Sequence, residues 1–163
     1  MFICSKIDLN SLIIKNIIMS SLLKFSIQSK SETPARTEIE TRGFKLIVDE
    51  PAELGGTNLA PNPVEYILAG YAGCINVVAH LTAKELNIDL KNLQISIEGD
   101  LNPARLFGTS FQERAGYQNI NVKLTTHNHI DEALKIKWLH EIENRCPVND
   151  NLRNATPVNF SLN

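Results

Sequence analysis

The chain is poor in the features that would place it in several large functional classes. Across 163 residues, 16 basic and 18 acidic side chains leave a formal net charge of −2 with no basic stripe, and aromatics make up only 6%. Without cationic clusters for phosphates or interleaved aromatics for bases, a nucleic-acid partner is not expected. Cysteine is scarce too: three residues are too few for a secreted disulfide scaffold and read as reduced thiols of an intracellular, cytoplasmic protein. Zinc-finger spacing is absent, and His127-x-His129 follows a strand pattern among polar residues, which reads as a solvated turn. No metal or organic cofactor is expected.

The first eighteen residues are apolar but broken by Lys6, Asp8, Asn10, Lys15 and Asn16, a poor fit to a secretory signal. Met19 opens a segment that already reads as the start of a first strand. Residues 1–18 are therefore expected to be a mobile or loosely docked extension in which Cys4 has no assigned role, ahead of one domain over residues 19–163.

Residues 22–28, 36–41 and 44–49 read as strands, the last two joined by an Arg42-Gly43 turn. Pro51, Gly55, Gly56, Pro61 and Pro63 punctuate an irregular loop after them. Asn62 as N-cap and Pro63 at the first helical position then predict a helix from 63 to about 87. Clean alternation marks strands over 93–101 and 119–126, and apolar spacing predicts an amphipathic helix over 131–144. After Cys146-Pro147 a polar segment leads to residues 156–162, read as a last edge strand because of Pro157. The fold class is α+β, without repeats.

No charge occurs between Glu65 and Lys84, and apolar or small residues cover every face of that helix. A helix apolar all round is buried. Gly70, Gly73, Asn76, His80 and Thr82 interrupt it and no second span accompanies it, so a membrane is not expected. Gly70 and Gly73 would admit another backbone, and a partner subunit is the natural second cover.

Cys74 lies within this helix and Cys146 follows the charged one, an asymmetry that suggests one attacking and one resolving thiol. Cys74 sits about three turns from the helix N-terminus, where the dipole has faded, so a fixed cation must favour its thiolate. His80 lies roughly 240° around the helix, which leaves Arg42 at the turn or Arg36 on the strand. Cys146 stands where helix carbonyls disfavour an anion, and should be the poorer nucleophile.

The runs Asp49-Glu50-Pro51, Leu54-Gly55-Gly56-Thr57, Asn62-Pro63-Val64-Glu65-Tyr66 and Ala72-Gly73-Cys74, with Arg145-Cys146-Pro147-Val148 and Thr156-Pro157-Val158 later, resemble the OsmC/Ohr family of osmotically inducible and organic hydroperoxide resistance proteins. The resemblance runs from about Arg36 to the C-terminus. It implies an OsmC-like fold: antiparallel sheets packed around a long buried cysteine-bearing helix, in an intertwined homodimer with two sites at the interface. It also implies a thiol-dependent peroxidase acting on organic hydroperoxides. In that reading Cys74 is peroxidatic, Cys146 resolves its sulfenic acid as a disulfide, and an external dithiol reduces the disulfide. Arg42 and Glu65 would position the thiolate.

Organic hydroperoxide resistance members place glutamate directly after the Asn-Pro pair, where this chain has Val64; Glu65 matches the acidic position of OsmC-like members instead. Glu65 also precedes Cys74 by nine residues, about 13.5 Å of rise and about 180° of rotation, so it cannot reach its own Cys74. It would act across the interface, by holding the arginine, or only by stabilising the first helical turn. Two rival readings use the same residues. One is a non-catalytic OsmC-like protein that binds a small apolar ligand or senses redox state; the other is cysteine acyl transfer or hydrolysis, for which no histidine is well placed.

Overall fold

The computed structural model describes residues 22–162. The expectations for residues 1–18 and for Cys4 lie outside them. The chain divides into two compact units, the first ending at Leu59 and the second running from Ala60.

The first unit is an antiparallel meander of β1 (Gln28–Ser31), β2 (Thr37–Thr41) and β3 (Phe44–Val48). In register, Gln28 faces Glu40 and Thr41 faces Phe44. The β2–β3 turn puts both central residues, Arg42 (φ 50°) and Gly43 (φ 85°), in the left-handed region, the geometry that matches the twist of a two-residue hairpin. The first strand lies later than the apolar run over 22–28 suggests. The backbone ladder with β2 begins at Gln28, with Ser26 bonded only through the Thr41 hydroxyl, so pairing, not hydropathy, sets the strand.

After β3 the chain turns on Asp49, which is fully buried. Its carboxylate accepts from the Thr57 hydroxyl at 2.6 Å and from the backbone N–H groups of Glu50, Thr57 and Leu59 at 3.0–3.1 Å. These bonds, led by the Thr57 hydroxyl, hold its pKa at about 2 against an ordinary 3.8. Gly56 is obligatory in this loop, because a Cβ there would lie 1.8 Å from the Glu50 carbonyl oxygen.

The second unit is built on helix α1 (Pro63–Glu85). Its start is a reciprocal capping box: Asn62 Oδ1 accepts from Glu65 N–H at 2.9 Å and Glu65 Oε2 from Asn62 N–H at 2.8 Å. Strands β4 (Gln94–Asp100) and β5 (Asn119–Thr125) form an antiparallel pair from Gln94 opposite Thr125 to Asp100 opposite Asn119. Helix α2 (Glu132–Arg145) is capped by Asp131, and helix α3 (Pro147–Arg153) follows one residue later. The core joins Tyr71, Ile75, Val78, Ala79 and Ala83 of α1 to Trp138 and Ile142 of α2 and to Cys146. Trp138 is also fixed in direction, since its indole N–H donates to the Ala79 carbonyl at 3.0 Å.

Two expectations need correction, on residues 156–162 and on the stretch after Pro147. Within the single chain one face of α1 is covered: Tyr71, Ile75, Val78, Ala79, Thr82 and Ala83 are buried, whereas Ile67, Val77 and Leu81 are 44%, 64% and 48% exposed. Among the described residues of the second unit, β4, α2 and α3 pack against the helix. By length and composition α1 could cross a membrane; here its covered face is the centre of a protein core. Residues 156–162 form no strand, because no neighbouring strand stands beside them among the described residues. Finally, the polar stretch after Pro147 is a helix, with Pro147 starting it.

Candidate active site

Cys74 projects from the middle of α1 and is partly buried, and Cys146 fills the junction between α2 and α3 at 1% exposure. Although 72 positions apart, their sulfurs are 3.0 Å from one another, with the Cys146 thiol donating to Cys74 Sγ. Both are free thiols. The approach follows from the local chain path. Trp138 and Ile142 pack α2 against α1, and Arg145 grips Glu85 through both guanidinium nitrogens at 2.5 and 3.1 Å. The α2–α3 junction is thereby held over the middle of α1.

Burial pushes the Cys146 thiol up to about 11; its hydrogen bond to Cys74 adds to this, while the Asn149 and Val148 N–H groups oppose it. Cys146 is therefore protonated at neutral pH. Burial is the first cause of this upward shift. Since α3 begins at the same residue, Cys146 caps the end of α2 and the start of α3 together, and its sulfur accepts from Asn149 N–H at 3.4 Å.

Each of the other predicted residues has contacts of its own. Glu65 is held in the capping box at the first turn of α1. Arg42 belongs to the first unit, with its guanidinium 5.6 Å from the Phe44 ring centroid. Arg36, also of the first unit, is bonded to Glu32 at 3.0 Å. His80, the nearest histidine in sequence, turns back onto its own helix, 2.8 Å from the Asn76 carbonyl oxygen.

Sequence reasoning missed Tyr71 and Asn149. Both are buried, and the Tyr71 hydroxyl donates to Asn149 Oδ1 at 2.6 Å. Burial, and after it the nearby Cys146, raises the Tyr71 pKa, so the phenol stays a donor. The available signal was Cys146-Pro147: proline is at home in the first turn of a helix, which makes the cysteine before it a cap and the residue three beyond it a neighbour of its sulfur. Beside Cys146, a cavity of about 290 Å³ is lined by Ile75, Ile120, Val122, Leu124 and Ile142 together with Tyr71, Glu143, Asn149 and Arg153.

A family model described as OsmC-like protein matches residues 56–161. The chain belongs to the OsmC-like family. Among solved structures it is similar to an OsmC-like protein from Mycoplasma pneumoniae, with a TM-score of 0.69 and 20% identity over 80% of this chain and 88% of that one. It is similar also to an organic hydroperoxide resistance protein OsmC from Legionella pneumophila, at a TM-score of 0.63 and 20% identity over 82% and 92%. An organic hydroperoxide resistance protein from Elizabethkingia anophelis, with thiocyanate bound, matches at 0.62 and 18% over 83% and 91%. At these identities the likeness carries the α+β fold, with its small antiparallel sheets and helices. No curated protein matches.

Proposed function

We propose that this OsmC-like protein is a thiol-dependent peroxidase that reduces organic hydroperoxides. The observation that carries this reading is the 3.0 Å separation of Cys74 Sγ and Cys146 Sγ, since a sulfenic acid formed at one sulfur would meet the other without rearrangement of the fold. The partly exposed Cys74 attacks the hydroperoxide oxygen as a thiolate; the O–O bond breaks and the alcohol leaves with a proton. Cys146 then displaces hydroxide from the Cys74 sulfenic acid, its thiol proton leaves with that hydroxide as water, and the disulfide is returned to two thiols by an external dithiol. Two of the similar structures being organic hydroperoxide resistance proteins supports the substrate class.

In this reading Arg42, with Arg36 as the other choice, favours the Cys74 thiolate, and Glu65 holds the arginine or acts across an interface. The working form is a cytoplasmic homodimer that needs no cofactor. Support for a second copy comes from α1, where Ile67, Gly70, Val77 and Leu81 line a bare stripe beside Cys74. The cavity beside Cys146, apolar on its isoleucine side, favours a second reading, a non-catalytic protein that holds a small apolar ligand or senses redox state.

One titration separates the two. Reduced protein is mixed with stoichiometric tert-butyl hydroperoxide and its free thiols are counted by mass spectrometry, with Cys74→Ser and Cys146→Ser alongside. The peroxidase reading expects a rapid Cys74–Cys146 disulfide, no reaction in Cys74→Ser, and accumulated sulfenic acid in Cys146→Ser. Intact thiols after prolonged exposure sink it in favour of the ligand-binding reading.

A further inference from the structure

We propose that Asn149, locked in place by Tyr71, is a positioning residue that aims the Cys146 sulfur at Cys74 for the resolving step. The inference rests on the peroxidase reading above and adds to it what holds the second thiol. Three hydrogen bonds converge on this one residue. Its backbone N–H donates to Cys146 Sγ at 3.4 Å, its side-chain NH₂ donates to the Glu143 carbonyl at 2.8 Å, and its Oδ1 accepts from the Tyr71 hydroxyl at 2.6 Å. Asn149 thus ties α3 to the last turn of α2 and to α1, the helix that carries Cys74 three residues after Tyr71.

Tyr71 and Asn149 are only 8% and 7% exposed, so water does not replace a lost partner. The bonds also fix direction. With the junction held from both sides, the Cys146 sulfur stays 3.0 Å from the sulfur it must attack. In that step the Cys146–Cys74 S–S bond forms, the Cys74 S–O bond breaks, and the proton of the Cys146 thiol leaves with the hydroxide as water. Cys146 is oxidised and the sulfenic sulfur is reduced to the disulfide level. Asn149 bonds to Cys146, Glu143 and Tyr71 and not to Cys74, so the inference expects the hydroperoxide step at Cys74 to be spared. Misdirecting the second sulfur by about 1 Å is enough to cost on the order of a hundredfold in rate.

The test follows the two steps separately in the full-length reduced chain mixed with tert-butyl hydroperoxide: peroxide loss for the first, and disulfide formation by quenched-flow mass spectrometry for the second. In Asn149→Ala the expected result is unchanged peroxide loss with disulfide formation slowed about tenfold to a hundredfold. More Cys74 should reach the irreversible sulfinic state under excess peroxide. Tyr71→Phe, which removes one bond and keeps the ring, should shift the same step in the same direction by a smaller factor, and it decides the matter if Asn149→Ala does not fold. Disulfide formation at the wild-type rate in the variants overturns the inference and leaves the peroxidase reading standing. Equal slowing of both steps also overturns it, by reducing the pair to fold support. Wild-type protein that keeps both thiols overturns the peroxidase reading and the inference with it.

Discussion

The two units of this chain keep their shape by different means. Every buried apolar side chain among the described residues belongs to the second unit, where Trp138, Ile75 and their neighbours close around α1. Among the described residues of the first unit the one buried side chain is a carboxylate, that of Asp49, while Ile27, Phe44 and Leu46 are 62%, 61% and 39% exposed. One unit is ordered by burial, the other by a strand ladder and a charged loop lock. A three-stranded ladder without a covered face gains little from the hydrophobic effect and should open locally at low cost. The exposed stripe of Ile67, Val77 and Leu81 on α1 is the surface that the proposed dimer would cover in the second unit.

The largest expected effect tests that need directly. Under the proposed dimer, Val77→Asp puts a charge in the middle of an apolar interface and abolishes association, so sedimentation should fall from two chains to one. Its effect on the stability of the separate chain should stay within about 0.5 kcal/mol, because Val77 is 64% exposed there. A variant that still sediments as the wild type removes the stripe from the interface.

Trp138→Ala comes next, and it strikes only the unit ordered by burial. Removing a large core side chain and its bond to the Ala79 carbonyl should destabilise the second unit by about 3–5 kcal/mol in denaturant unfolding. Amide exchange should rise throughout α1 and α2. The β1–β3 amides should change little, since they already exchange by local opening; a parallel loss there would mean that the units unfold as one.

Asp49 gives the opposite lesion, confined to the first unit. Its folded pKa, about 2, lies below the ordinary 3.8, so the unfolded chain takes up this proton more readily. The stability it contributes is complete above the ordinary value and is lost as pH falls through about 4 to about 2. Asp49→Asn should loosen residues 49–59 at neutral pH and flatten the acid limb of their exchange protection, leaving α1 untouched. An unchanged acid limb would show that the lock is not what orders the loop.

Legibility in the sequence follows the same division between local and tertiary causes. Helix α1 could be placed from Asn62 and Pro63 because a cap and a first-turn proline act within four residues, and β4 and β5 from alternation alone. Helix α3 was hidden because proline after a charged helix reads as a stop, although the same residue starts a helix when a cap precedes it. The alternating Val158, Phe160 and Leu162 suggest a strand, but a strand exists only beside a neighbour, and these residues are 71%, 96% and 100% exposed. At the site, the contrast between the two cysteines is visible locally, whereas the convergence of Tyr71 and Asn149 behind Cys146 depends on helix packing that no spacing records. Asp49 is similar: its partners Thr57 and Leu59 come eight and ten residues later through an irregular loop.

The smallest expected effect concerns Arg145, the residue before Cys146, and sharpens the claim that burial orders the second unit. Its bidentate pairing with Glu85, joined by Glu141 at 3.5 Å, ties the last turn of α2 to the last turn of α1. Both partners are substantially exposed, at 35% and 51%, so solvent and salt screen the attraction. Arg145→Met keeps the length of the side chain while removing the charge, and should cost no more than about 1 kcal/mol, with the difference shrinking at high salt. Under the peroxidase reading, disulfide formation should change little as well, because Trp138 and Ile142 still pack α2 against α1. A loss well beyond about 1 kcal/mol that persists at high salt would mean that the ion pair, not the core, sets the α2–α3 junction. The cysteine pair would then owe its geometry to charge, as the loop of the first unit does.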